Sequence, residues 1–305
     1  MTPRKATKYR STAALQPALH DSVGLETLLD TLPHGVLVAQ RQHGVRSAGL
    51  KSCPTYGGDA VVSARLKPRP TGARPATAIR NPQRPTSITL AVMSDAFAAA
   101  RDRMVETQLA RRDIRDPRVL DAMRAVPRHL FVPPEAVDQA YGDHPVPIGF
   151  GQTISQPYIV AWMVEQLRLT PESRVLEVGA GCGYQTAILA RLAREVFAVE
   201  LIDALTSRAR ATLDALGVTN VHLATRDGSL GWPEHAPFDA IVVAAAAREV
   251  PPALVDQLAD AGRLIVPVGG EEFQTLRLVE RRGADASIED LVDVRFVPLV
   301  VGGRQ

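Results

Sequence analysis

Cysteine is scarce in this chain: only Cys53 and Cys182 occur among 305 residues, far apart and in unlike surroundings. That argues against a disulfide framework or a zinc site, and makes a reducing cytoplasm the expected compartment. No stretch reaches the roughly 18–20 uninterrupted apolar residues that a membrane span needs. The basic opening Met1-Thr-Pro-Arg-Lys-Ala-Thr-Lys8 has no apolar run behind it, so it does not read as a secretory signal. Lysine is also confined. All four lysines (Lys5, Lys8, Lys51 and Lys67) precede residue 93, and every Lys or Arg beyond it is arginine.

That confinement marks a seam. Residues 1–92 hold 13 Lys+Arg against 4 Asp+Glu, a net of +9, whereas residues 93–305 hold 22 against 29, a net of −7. The first part has no sustained period of 2 or 3.6, and Pro68, Pro70, Pro75, Pro82 and Pro85 suppress regular structure there. Too little apolar surface is available to offset its ordering entropy. It reads as a disordered extension, or as upstream sequence joined by a misassigned start before Met93-Ser94-Asp95. A basic arm for nucleic acid or an acidic partner is the competing reading. Residues 93–305 are large enough for one domain with its own core. Being lysine-free and net negative, they do not suit a nucleic-acid acceptor.

From Ser94 the pattern turns helical, with Ser94 or Asp95 as cap and Phe97, Met104, Val105 and Leu109 on one face. Asp116-Pro117 opens a second helix. Asp143–Gln152 reads as loop, and Ser155-Gln-Pro157 as the cap of a helix reaching about Leu167. Beyond Pro171 strands and helices alternate, predicting an α/β fold with a doubly wound, mostly parallel sheet. Strands are expected at 174–178, 196–199, 221–224, 240–243 and 264–266, with helices at 184–192, 203–216 and 252–260. Thr275–Glu280 and Leu291–Pro298 follow with no helix between them, which predicts an antiparallel pair at a sheet edge.

The chemistry concentrates in Val175-Leu-Glu177-Val-Gly179-Ala-Gly181-Cys-Gly183-Tyr184. A strand runs into a turn with glycine at every second position, and a helix begins there. Glycine allows positive φ and lets a ligand lie against the backbone. The spacing is G-x-G-x-G and not the G-x-G-x-x-G that brings a helix up to a pyrophosphate. Glu177 stands before the first glycine, where it suits a cationic or amino-bearing ligand. Glu200 ends the next strand, placed to accept from two ribose hydroxyls. Asp227-Gly228 follows the third, where a carboxylate can take the amino group of adenine. Acidic residues around a glycine turn fit S-adenosyl-L-methionine, a sulfonium without phosphate, and no metal is expected.

The acceptor is not legible in that turn. It is suggested by Pro147-Ile-Gly-Phe-Gly151-Gln152-Thr153-Ile154-Ser155-Gln156-Pro157, with Val126-Pro-Arg-His-Leu-Phe-Val132, Tyr184-Gln-Thr186, Gly262–Gly269 and Arg295-Phe-Val-Pro-Leu-Val300. Over residues 95–303 the chain resembles the protein-L-isoaspartate O-methyltransferases, of the class I methyltransferase fold. The resemblance implies methylation of the free carboxylate of L-isoaspartyl residues in damaged proteins and peptides, the first step of a repair cycle. It implies Ser155 as the active-site residue, with Glu200, Asp227 and Gly228 as cofactor contacts. A monomer is expected, with no membrane or nucleic-acid partner. A carboxylate is already ionised at neutral pH, so alignment and water exclusion suffice without a strong base. Another carboxylate or a small-molecule acceptor is the alternative. Two positions depart from the pattern: Ala244, where many relatives carry threonine, and Cys182, where serine is commoner.

Overall fold

The computed structural model describes residues 7–9 and 96–302, all within one unit made of residues 1–13 and 84–305. Thr7–Tyr9 form the short strand β1. Ala98–Met104 are helix α1, prolonged by a π-helical turn over Val105–Ala110. Together they bury Met104, Val105 and Leu109 of the predicted stripe, while Phe97 stands at the helix N-cap and is half-buried. The expected caps Ser94 and Asp95, and everything read from residues 1–92 apart from 7–9, lie outside the described residues. Helix α2 (Pro117–Ala125) opens as its sequence predicts: the Asp116 side chain accepts from Arg118 N, and proline occupies the first turn, where no amide hydrogen is needed.

The passage expected to be loop instead holds a hairpin, β2 (Val146–Gly149) against β3 (Gln152–Ile154). Its reversal uses Gly149, Phe150 and Gly151, all at positive φ. Strands of four and three residues carry too little periodicity to show in the sequence. Helix α3 (Pro157–Gln166) follows, and here the expectation is corrected. Its N-cap is Gln156, without a side-chain cap bond, so Ser155 stands one residue ahead of the helix and does not cap it.

The remaining strands are β4 (Arg174–Val178), β5 (Glu195–Glu200), β6 (Val221–Thr225), β7 (Phe238–Val243), β8 (Leu258–Gly269), β9 (Gln274–Arg282) and β10 (Asp285–Val294). With β1 they form one sheet in the order β1-β10-β9-β8-β7-β4-β5-β6. Pairing is parallel from β6 to β8 and antiparallel from β8 outward to β1. Helices α4 (Tyr184–Leu192), α5 (Asp203–Ala215) and α6 (Pro252–Asp256) connect the parallel strands. Two expected elements shift, the helix at 252–260 and the strand at 291–298. Helix α6 stops at Asp256 because the chain enters β8 there, with Gln257 bonding Ala253 O, Leu230 O and Trp232 N. The final strand is 285–294 and not 291–298, and the residues after Val294 leave the sheet.

Alternate residues of each central strand face opposite cores. Val175, Val196, Ala198, Ala240 and Val242 pack on one side, while Leu176, Val178, Phe197, Val199, Ile241 and Val243 pack on the other. Both faces are covered, so the strands read as continuous apolar runs rather than alternating ones. The order 6-5-4-7 places a reversal of direction between β4 and β7. Ligands of open α/β sheets bind at such a point, outside the carboxyl ends of the strands.

Candidate active site

At that reversal β4 delivers Glu177 and then the glycine turn. Gly179, Gly181 and Gly183 have φ of 86°, 56° and 87°, a region that other residues rarely enter. Gly179 N and Ala180 N donate to Val199 O at 2.9 and 3.1 Å, so the turn is tied to the tip of β5. Glu200 completes the tie: its Oε2 accepts from Gly181 N at 2.8 Å and its Oε1 from Ile202 N at 2.9 Å. A carboxylate offers about four acceptor positions, so each oxygen keeps capacity for a ligand. Gly228 sits against the same strand ends. A Cβ there would lie 2.4 Å from Val178 Cγ1 and 3.1 Å from Val199 Cγ2, so the chain passes only as glycine.

Glu177 falls on the face covered by α4 and is fully buried. Thr186 Oγ1 donates to its Oε2 at 2.5 Å, while Oε1 has no partner among the described residues. Burial pushes its carboxyl up to about 8; contacts with Thr186 and Gln185 pull it back, and the Glu200 charge adds to the rise. Gln185 Nε2 is likewise buried without a partner. Both side chains line one cavity, together with Ser155, Gly179, Gly181, Glu200 and Gly228.

The structure therefore brings six of the eight sequence-chosen residues around one cavity. Gly183 is not in its wall; it serves as the left-handed residue that starts α4. Asp227 is not in the wall either. Its Oδ1 accepts from Ser229 N and Oγ at 2.9 and 2.7 Å, and its Oδ2 from Gly302 N at 2.6 Å. Burial pushes this carboxyl up, but the bonds from Ser229 and Gly302 outweigh it and hold the group below its ordinary value. The segment from Arg295 to Gly302 is placed differently from its sequence reading. Val297 O accepts from Ala246 N and Leu299 N donates to Ala246 O, each at 2.8 Å, and Val297–Val300 form one wall of the cavity. The sequence predicts an edge strand as far as Pro298; the chain leaves the sheet after Val294 and makes this strap instead, which its lack of periodicity hides.

Ser155 lies where this cavity meets a groove lined by Thr153, Ile159, Ala244, Arg295 and Phe296. Its hydroxyl has no protein partner among the described residues. Its backbone, by contrast, is pinned: Arg128 Nη2 donates to Ser155 O and Arg128 Nε to Ala140 O, both at 2.7 Å. Arg128 is fully buried and lies over the Tyr184 ring, 4.8 Å from its centroid. Burial lowers its pKa from the ordinary arginine value. Similarly Arg208 of α5 donates to Ile148 O at 2.6 Å and holds the hairpin against the site. His129, buried and stacked on Phe97 at 4.4 Å, bonds Tyr141 and has a scaffold role. Cys182 is buried, and burial raises its thiol to about 11, which suits packing rather than reactivity. Among the described residues no cluster of His, Cys, Asp or Glu could hold a metal.

The sequence profile of the protein-L-isoaspartate(D-aspartate) O-methyltransferases matches residues 99–304. The chain belongs to this family. It is 53% identical over 214 residues to a protein-L-isoaspartate O-methyltransferase of Synechococcus sp. (strain JA-2-3B'a(2-13)), covering 68% of this chain and 88% of the relative. To the same enzyme of Methylorubrum extorquens (strain PA1) it is 59% identical over 206 residues, covering 67% and 90%. A solved Plasmodium falciparum structure described as a family member, in complex with S-adenosyl-L-homocysteine, superposes with a TM-score of 0.59 at 30% identity. It covers 66% of this chain and 98% of that one. Membership makes the protein an S-adenosylmethionine-dependent methyltransferase of isoaspartyl residues.

The cavity fits such a donor on its own terms. It offers a glycine cradle, two carboxylates and no Lys or Arg in its wall, together with a buried acceptor and a buried donor still unpaired.

Proposed function

We propose that Ser155 orients the isoaspartyl carboxylate, while Glu177, Gly179, Gly181, Glu200 and Gly228 make up the donor's seat, which Gly183 supports by starting α4 and Asp227 by anchoring the strap at Gly302. The observation that carries this reading is the place of Ser155, at the junction of the cavity and the groove. The cradle Gly179–Gly181 receives the donor against bare backbone. Glu177 Oε1 takes its amino group, the free capacity of Glu200 takes the ribose, and Gly228 leaves room for the adenine beside Asp227. When bound, S-adenosylmethionine supplies the electrophilic methyl group. The chain's own work is orientation. The Ser155 hydroxyl donates to one carboxylate oxygen and leaves the other directed into the cavity, and the Val297–Val300 strap excludes water. A neutral donor suits this task, because the carboxylate's charge is neutralised as the ester forms, and a lysine there would hold the charge too well.

We further read residues 93–305 as the catalytic domain of a cytoplasmic monomer without a nucleic-acid partner. The family match starting at residue 99 and the acidic, lysine-free composition support this. No helix among the described residues is long and apolar enough to cross a membrane. The test is incubation with labelled S-adenosylmethionine and paired peptides that differ only in isoaspartate or aspartate at one position. Label is expected on the isoaspartyl peptide alone; equal labelling would shift the assignment to another carboxylate.

A further inference from the structure

Charge is spread unevenly along the way from the groove to the cavity. Among the described residues, the only charged side chains in the cavity wall are Glu177 and Glu200. The groove that opens beside Ser155 has two, Asp293 and Arg295. Asp293, on β10, accepts from Thr275 Oγ1 at 3.1 Å. Arg295 is exposed and makes no side-chain hydrogen bond or ion pair among the described residues. It is the one cation lining either space, in a stretch (residues 93–305) that holds 22 Lys+Arg against 29 Asp+Glu.

The substrate is itself an anion. A carboxylate approaching a cavity walled by acids meets a negative field, and a cation beside its path offsets that field. We propose that Arg295 is a specificity-determining residue, which selects isoaspartyl segments that carry a further acidic side chain within two residues of the isoaspartate. This rests on the reading that Ser155 receives the reacting carboxylate from this groove. Arg295 acts on the second carboxylate and not on the reacting one. A guanidinium fixed on the reacting group would stabilise the very charge that methyl transfer removes. Reach agrees with this. Arg295 precedes Val297, which lines both the groove and the cavity, by two residues, a span of at most about 7 Å. An extended peptide advances about 3.4 Å per residue, so a neighbouring acid comes within range while the isoaspartyl carboxylate lies at Ser155. The planar fork of donors on arginine matches a carboxylate, whereas Thr153 and Gln156 in the same wall carry no charge to discriminate with.

The test uses the full chain, labelled S-adenosylmethionine and isoaspartyl peptides with Glu, Gln or Lys at each of the two positions on either side of the isoaspartate. At low salt the parent should prefer Glu over Lys at one or more of these positions by roughly fivefold in kcat/KM, the size of an exposed ion pair. The preference should lie in KM rather than kcat, and shrink in about 0.5 M salt. Arg295→Gln should abolish the preference and Arg295→Glu should invert it. Arg248→Gln removes an exposed arginine that lines neither space, and should leave the preference as in the parent. No Glu preference in the parent, no inversion by Arg295→Glu, or an equal change with Arg248→Gln would overturn the proposal. Failure of the isoaspartyl reading looks different: the peptide with Gln at every flanking position would itself stay unlabelled, and both readings would then fall.

Discussion

The donor side and the acceptor side of the cavity are built in different ways. The donor side consists of strand ends and one helix start: Glu177, the glycine turn, Glu200 and Gly228 are each within a few residues of the element that fixes them. The acceptor side is a hairpin, a serine ahead of a helix, and a C-terminal strap. Those pieces are held by side chains from far away in sequence, Arg128 to Ser155 O, Arg208 to Ile148 O and Asp227 to Gly302 N. The donor seat is a product of the sheet, whereas the acceptor seat depends on a handful of long-range bonds. Substitutions should therefore separate the two.

Glu177→Gln, on the donor side, should have the largest effect. The Glu177 carboxyl lies near 4.5 when unfolded and at about 8 when folded, so the folded chain holds the extra proton between these values. Its contribution to stability is present below the lower value and is lost as pH rises through the upper one. Urea denaturation at about pH 5 and about pH 9 should show several kcal/mol lost by the parent relative to the variant. A constant difference would mean that Glu177 titrates as an ordinary carboxyl.

Arg128→Met should come next. It leaves Ser155 O and Ala140 O without their charged donor and should cost about 3 kcal/mol in stability. In protein that remains folded, kcat/KM for an isoaspartyl peptide should fall while donor affinity by calorimetry stays constant. A parallel loss of donor affinity would break the separation of the two sides. Ser155→Ala removes a hydrogen bond to a charged acceptor group and should lower kcat roughly tenfold to a hundredfold. Unchanged turnover would reduce Ser155 to a link in the chain. Gly228→Ala is the smallest, about 1–3 kcal/mol of overpacking against Val178 and Val199. It should weaken donor binding and spare the peptide KM.

The same division governs what could be read in advance. Strand β4, the turn and helix α4 were legible to the residue, because glycine spacing and apolar runs are local signals. The hairpin at 146–154 is not legible in the sequence, where 143–152 reads as loop, since its strands are too short to show a period. Ser155 was expected to cap α3, because a serine before Gln-Pro carries that signal; in the fold Gln156 is the cap and the serine faces the cavity. Asp227 was placed at the right strand, but a partner 75 residues away now shares its carboxylate. No local pattern encodes that.

By itself the sequence determined the doubly wound fold class, the acidic glycine turn and the phosphate-free character of its ligand, because these follow from residue types at fixed spacings. Tertiary structure alone decided that a buried arginine holds the serine loop, that Glu177 is left with an unpaired buried oxygen, and that the tail closes over the cavity. Each of those depends on groups brought together from distant parts of the chain, and burial, which sets their energetics, exists only after the chain has folded.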